Sequence, residues 1–368
     1  MSLSIDVYDI SLWNQLGWYG TKGTRNKFIC EHPETGKRYY FKESLKKTGC
    51  YYPLEFWSEI IASKVGRFLN FDMVDYNVGY HDHAVGCLSE NMLSERQSLM
   101  EGFHYLTAVE PSFTPDTDRG TRILYDFQLI EKALVSFGYD EFLPQILDTI
   151  IFDAIVGNSD RHQENWGIIF QLDALDKILF PRTDSSVRLD IPRGMTESWR
   201  KKVMRFGSAI FLKKEISVDS QPSPFQAYQN NPDKKIAFLA PIYDSGSSLG
   251  RELDESKIEA MLRDNMRMQG YINKGLSEIH WQKKKVSHFD LLEHLRHDHE
   301  AHIENKVKSL KLLYNAEALQ SLIESASSVI PSGKKYEEFR LSSLRRQFLF
   351  TSIDLRLQRL FRAFAPTT

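Results

Sequence analysis

The sequence predicts a mixed α+β protein in which a small antiparallel sheet with one helix precedes a mainly helical remainder. Three observations predict it. Over the first ninety residues the apolar side chains come in short runs cut by turn signals. Beyond residue 120 they recur at three- and four-residue spacing, as on helices. Between the helical stretches, 181–236 is rich in Asp, Ser, Pro, Arg, Lys and Asn and has only weak periodicity, so it reads as a surface excursion.

The elements follow in order. Segments 25–30 (RNKFIC) and 38–42 (RYYFK) are short, aromatic or apolar, and bounded by turn signals such as Pro33–Gly36; they read as strands. From about Leu54 to Phe68, the residues Leu54, Trp57, Ile61, Val65 and Phe68 form one apolar helical face. Two more strand-like runs, 73–80 and 84–88, flank His81-Asp82-His83, which reads as a hairpin turn. The run Phe142 to Ile155 is apolar on almost every side, which predicts a buried central helix. The stretches 256–273, 306–329 and 336–364 read as amphipathic helices. The last, with Leu344, Phe348, Ile353, Leu357, Leu360 and Phe364, is long enough to brace a whole lobe.

Composition narrows the function classes. The 368 residues are 42% hydrophobic and 26% charged, the balance of a soluble protein with a real core. Lys plus Arg, at 47, nearly cancels Asp plus Glu, at 49, which argues against a dedicated nucleic-acid binder but leaves room for an acidic ligand in a local pocket. Cys30, Cys50 and Cys87 show no CxxC spacing, so neither a disulfide framework nor a zinc knuckle is expected, and a reducing cytoplasm fits. The N-terminal MSLSIDVYDI has neither a basic nor an apolar leader region, and no run reaches the roughly 20 apolar residues of a membrane span. A soluble cytoplasmic protein is expected.

The densest chemical signal is the loop Gly157-Asn158-Ser159-Asp160-Arg161-His162-Gln163-Glu164-Asn165-Trp166-Gly167, between the buried helix and the strand-like Ile168-Ile169-Phe170. Phosphoryl transfer needs an Asp to orient or deprotonate the attacking hydroxyl and an Asn a few residues on to hold a metal ion, and Asp160 and Asn165 have that order. Taken alone, the same residues are a polar turn. A second segment, 240–250, places Asp244 between an apolar strand and a Gly-Ser turn, as suits a magnesium-binding carboxylate approached by phosphate oxygens.

The two patterns together, N-x-D-x-H-x-x-N-W-G over 158–167 and P-x-Y-D-x-G-S-S-L-G over 241–250, resemble the HipA-like serine/threonine kinases, especially their stand-alone relatives without the N-terminal toxin module. The resemblance implies a two-lobed protein-kinase-like fold, with an N-terminal lobe over 1–92 and a helical C-terminal lobe over 93–368. It implies ATP and Mg2+ as ligands and a protein serine or threonine as phosphate acceptor. Gly20, Lys22, Gly23 and Lys27 then match the phosphate-covering loop, and Lys42 the lysine that grips the phosphates. Glu55 or Glu59 is its carboxylate partner, with a slight lean to Glu59. Gly86–Asn91, with Leu88 and Glu90, matches the adenine-binding hinge. Asp160 orients the acceptor, His162 supports the loop or the transferring group, Asn158 braces the turn, and Asn165 and Asp244 hold the metal.

The resemblance has departures. The stretch from Asn165 to Asp244 is far longer than in compact members, which requires 181–236 to be an insertion near the cleft. The serine that full-length toxins autophosphorylate corresponds to Gly20, with Thr21 and Thr24 nearby. The Asp160-Arg161-His162 order also resembles phosphatidylinositol kinases. A lipid or small-molecule kinase therefore stays open, as does a nucleotide-binding pseudokinase or regulator. An antitoxin-like partner protein is implied by resemblance alone. Two other features read as surface: Lys283-Lys284-Lys285, and the cluster His288, His294, His297, His299 and His302 with Asp298 and Glu300, taken as a solvated helix face.

Overall fold

A computed structural model describes residues 4–16, 26–47, 49–82, 84–171, 237–326 and 328–364. The stretch 181–236, and with it the insertion reading, lies outside the described residues, as do Gly20, Thr21, Lys22, Gly23 and Thr24.

Sheet residues come first. The strands are β1 (Val7–Asp9), β2 (Asn14–Gln15), β3 (Lys27–Glu31), β4 (Arg38–Glu43), β5 (Lys46–Lys47), β6 (Cys50–Tyr51), β7 (Tyr76–His81) and β8 (Ala84–Glu90). Six of them form one sheet in the order β1-β7-β8-β4-β3-β2, while β5 and β6 pair as a separate ribbon. Every pairing in the six-stranded sheet is antiparallel except β1 on β7, which is parallel, a departure from the all-antiparallel expectation. Alternation along β4 divides the sheet's faces. Phe41 is fully buried with Ile10, Trp13, Cys30 and Leu88 on one face, and Lys42 points to the other.

Helix α1 (Glu55–Phe68) crosses the Lys42 face, and here the single-stripe expectation fails. Every residue from Glu55 to Gly66 is buried, polar ones included. The reason is that α1 is covered on several sides and its polar side chains find partners there. Trp57 Nε1 donates to the Phe339 carbonyl (2.7 Å), Ser58 Oγ to the Ser248 carbonyl (3.1 Å) and Ser63 Oγ to the Val74 carbonyl (2.7 Å).

A second, three-stranded antiparallel sheet joins β9 (Gln97–Glu101), β10 (Gly167–Gln171) and β11 (Ala237–Leu239), with β10 in the middle. Around it lie α2 (Gly102–Val109), α3 (Phe127–Phe137) and the buried α4 (Leu143–Val156). Among the described residues the helical region continues with α5 (Glu255–Arg263), α6 (Asn265–Lys274), α7 (His288–Leu313), α8 (Ala316–Ser325) and α9 (Ser343–Phe364). Helix α9 packs against α4, α5, α6, α7 and α8, so it does brace the lobe.

Three helix boundaries differ from expectation, each for a local reason. The 256–273 run breaks at Asp264, whose carboxylate caps α6 by accepting from Met266 N–H (2.9 Å). The 306–329 run breaks before α8, where Asn315 Oδ1 accepts from Ala318 N–H (2.9 Å). The start of 336–364 is a 3-10 turn, Lys334–Phe339. The histidine run on α7 is not uniformly solvated either. His297 is exposed beside Asp298, but His288 is buried, His294 stacks on Trp281 with centroids 5.1 Å apart, and His302 pairs with Asp148 at 2.9 Å.

Candidate active site

The loop after α4 is shaped by one buried ion pair. Gly157 caps α4 in the left-handed region (φ 67°), and a Cβ there would lie 2.7 Å from the Arg356 guanidinium. Asn158, fully buried, donates from its backbone N–H to the Asp153 carbonyl and from Nδ2 to Asp153 Oδ1, each at 3.0 Å. Arg161 grips the same carboxylate bidentately, Nε to Oδ2 at 3.0 Å and Nη2 to Oδ1 at 2.9 Å. Its remaining N–H groups reach the Asn165 carbonyl (3.0 Å), the Tyr243 carbonyl (2.5 Å) and Ser245 Oγ (3.1 Å). All five guanidinium donors are thus used. Burial works against the charge of Arg161, but Asp153 more than offsets it, and the guanidinium pKa stands above its ordinary value.

Arg161 is what brings the sequence-distant motifs together. One of its nitrogens touches the carbonyls of both Asn165 and Tyr243, so Asn165 and Asp244 occupy adjoining stretches of chain. Within the loop, Asn165 Nδ2 donates to the Asp160 carbonyl (2.8 Å) and Asn165 N–H to the His162 carbonyl (2.9 Å). The His162 ring, through Nδ1, accepts from Glu164 N–H at 3.3 Å, so it serves the turn. The Asp160 carboxylate accepts from Ser247 Oγ at 3.1 Å.

Asp244 is delivered by strand pairing. Strand β11 pairs with β10, Ala240 N–H donates to the Gly167 carbonyl (2.8 Å), and Ile242 exchanges hydrogen bonds with Asp72 and Val74. The chain then turns at Asp244 with φ 52°, a left-handed conformation that Asp tolerates better than most residues. Lys42 Nζ donates to Asp244 Oδ1 at 2.7 Å and to Glu59 Oε1 at 2.6 Å. Glu59 Oε2 accepts from Ser245 N–H at 2.7 Å. A Cβ on Gly246 would sit 2.8 Å from Glu59 Oε1, so the chain passes the carboxylate only because that residue is glycine. Burial opposes the charge on Lys42, yet Asp244 and Glu59 together hold its pKa well above the ordinary ammonium value. Burial likewise pushes the Glu59 carboxyl up, against the pull of Lys42. Tyr76, whose hydroxyl lies beside the Asp244 N–H, is also raised by burial.

The other expected residues divide. Between the two glutamates, Lys42 pairs with Glu59; Glu55 instead pairs with Arg251 and accepts from Leu45 N–H (2.8 Å). Lys27 lies directly opposite Lys42 in the β3–β4 register, so both side chains project from the same face. Leu88 is a correction. It is paired with Phe41 and Asn77 inside the sheet, and its side chain is buried on the face away from Lys42. Strand β8 runs on through most of 86–91, where backbone groups are committed to sheet neighbours. Glu90 ends that strand on the same far face and pairs with Lys37 at 2.9 Å.

Arg161, Asp153, Gly246 and Ser247 escaped assignment from sequence. One signal was there for the first pair: a carboxylate inside an apolar helical run must find a cation when buried, and Arg161 follows eight residues later. No comparable signal marked Ser247.

Asn165 and Asp244 also offer what a magnesium ion takes. With Asn165 Nδ2 committed to the Asp160 carbonyl, Oδ1 is the atom left for a cation, and the Asp244 side chain, on the adjoining segment, is 42% exposed. Among the described residues no three His, Cys, Asp or Glu gather into an all-protein cage. Magnesium does not require one, since it binds through one or two carboxylates plus phosphate oxygens and water.

Among solved structures the chain is similar to the proinflammatory kinase CtkA of Helicobacter pylori. The TM-score is 0.66 at 14% identity, over 98% of this chain and 100% of that one. The chain has a two-lobed kinase fold. It is also similar to HipA of Shewanella oneidensis MR-1, solved with HipB and its operator DNA, at TM-score 0.42 and 10% identity, over 94% of this chain and 65% of that one. No protein-family model matches the sequence, and no curated protein matches it.

Proposed function

We propose that this protein is an ATP- and magnesium-dependent kinase that transfers the γ-phosphoryl group to a hydroxyl, the acceptor being serine or threonine of a protein. The observation that carries the reading is the placement of Lys42 between Glu59 and Asp244, with Asp244 fastened through Arg161 to the loop of Asp160 and Asn165. In this reading a cation for phosphate, oxygen donors for a metal and a carboxylate for the acceptor lie on segments that these bonds join. Residues 1–92 form the phosphate-gripping lobe in this reading and 93–368 the lobe carrying the acceptor side.

Lys42, with Lys27 beside it on the next strand, grips the phosphates, and Glu59 holds Lys42 in place. Asn165 and Asp244 would hold Mg2+, which neutralises charge on the phosphates. Asp160 orients the acceptor hydroxyl and takes its proton. The hydroxyl oxygen bonds to the γ-phosphorus while the bond to the β–γ bridging oxygen breaks, and ADP leaves. Arg161 of the Asp-Arg-His order is buried and fully bonded to protein, so in this reading it shapes the loop and does not contact the acceptor.

The test uses the intact chain, ATP labelled on its γ-phosphate, and a degenerate serine/threonine peptide library. Asp244→Ala should remove transfer, and Asp160→Asn should lower it by about 10²–10⁴-fold, the usual range for a general base. Wild-type rates in purified, folded Asp244→Ala protein would overturn the proposal.

A further inference from the structure

The serines after Asp244 look in sequence like spacers, but one has a bond that a spacer does not need. Ser247 Oγ donates to Asp160 Oδ2 at 3.1 Å. At its other end, the Ser247 carbonyl accepts from Ser159 N–H (3.1 Å) and lies 3.4 Å from Ser159 Oγ. Ser247 is therefore tied to the catalytic loop twice, and it is only 8% exposed.

The chain on either side holds it there. Ser248 Oγ turns back to the Ser245 carbonyl (2.6 Å), and the Ser248 carbonyl accepts from Ser58 of α1 (3.1 Å). Leu249 N–H donates to the Val156 carbonyl at the end of α4 (3.0 Å). Gly246 is pressed against Glu59. The hydroxyl thus has little freedom to leave Asp160.

A carboxylate turns easily about its terminal torsion, which has broad, two-fold preferences. A donor fixed on Oδ2 removes that freedom and presents Oδ1 in a constant direction. We infer that Ser247 is a positioning residue for phosphoryl transfer, holding Asp160 so that Oδ1 faces the acceptor hydroxyl. The inference rests on the kinase reading above. It also ties the segment bearing the metal-binding Asp244 to the orientation of the base, since the two residues share one short stretch of chain.

Three variants of the full chain test it, with labelled ATP and the same peptide library. Ser247→Ala should lower kcat by about 10- to 100-fold, the scale of a lost hydrogen bond to a charged group, while KM for Mg-ATP moves less than about twofold. Ser247→Thr keeps the hydroxyl and should retain most of the rate, which also covers a loss of folding in the alanine variant. In the Asp160→Asn background, Ser247→Ala should add less than about a further twofold loss, because the group it positions is already gone. An unchanged kcat in Ser247→Ala, or an equal loss with and without the Asp160 carboxylate, would overturn the inference and leave the kinase reading standing. A wild-type protein that transfers no label to any peptide would overturn both.

Discussion

Arg161 and Lys42 are both cations that bridge segments far apart in sequence, and they are finished to different degrees. Arg161 and Asp153 expose 2% and 5% of their side chains, and every guanidinium donor ends on protein. Lys42 joins Glu59, which is 1% exposed, to Asp244, which is 42% exposed, and is itself 19% exposed. The first network is closed and holds the chain. The second is buried on the Glu59 side and more exposed on the Asp244 side, where the proposed phosphate and metal would bind. Burial and saturation together, not charge alone, separate a structural ion pair from one built to exchange partners.

The sharpest way to break that distinction is Arg161→Ala. It strands Asp153 as an uncompensated buried carboxylate and should cost about 3–5 kcal/mol of stability, measured by chemical denaturation. A loss below about 1 kcal/mol would show that the closed network is dispensable.

Lys42→Met should cost less stability than Arg161→Ala where Glu59 can take up a proton, and should weaken Mg-ATP binding by about 10- to 100-fold, read by calorimetry or by loss of ATP-dependent thermal stabilisation. It also carries a pH signature. With its counter-charge gone, Glu59 keeps the upward push of burial, so its folded-state pKa lies above the ordinary 4.5. A raised carboxyl contributes stability that is fully present below the unfolded value and lost as pH rises through the folded one. The variant's Tm should therefore fall relative to wild type as pH rises above the ordinary carboxyl range, and Glu59→Gln in the same background should flatten the curve. Parallel curves would contradict the role given to Glu59.

The smallest effect belongs to Gly246→Ala. The added methyl meets Glu59 Oε1, which Lys42 and Ser245 N–H already hold, so something must move. A cost of about 1–2 kcal/mol is expected, with a larger fractional loss of transfer activity than of stability. Full activity and unchanged Tm would mean that the Glu59 clamp is looser than its bond lengths imply.

Much of this was legible in the sequence. The strands β3, β4, β7 and β8, the helices α1 and α4, and the long brace α9 follow from apolar periods and turn residues acting within a few positions of each other. Asp160, Asn165, Asp244 and Lys42 were legible as candidates because residue type and order carry the chemistry. What the sequence left open or misassigned has one cause. Whether Glu55 or Glu59 meets Lys42 depends on how α1 is rotated against the sheet, and both glutamates are buried. The assignment of Leu88 to a hinge failed because its commitment to β8 is set by Phe41 and Asn77 on neighbouring strands. The parallel entry of β1 and the buried His288 are likewise set by partners remote in the chain.

The sequence by itself thus determined most of which segments fold into which elements and which side chains are candidates for phosphoryl transfer, because both depend on local pattern and intrinsic chemistry. Only the tertiary structure decided which of those side chains meet. Arg161 bonds to chain on both sides of residues 172–236, and Ser247 reaches Asp160 across the same interval. Contacts of that kind come from strand pairing and from the need of buried polar groups for partners, and no spacing rule along the chain records them.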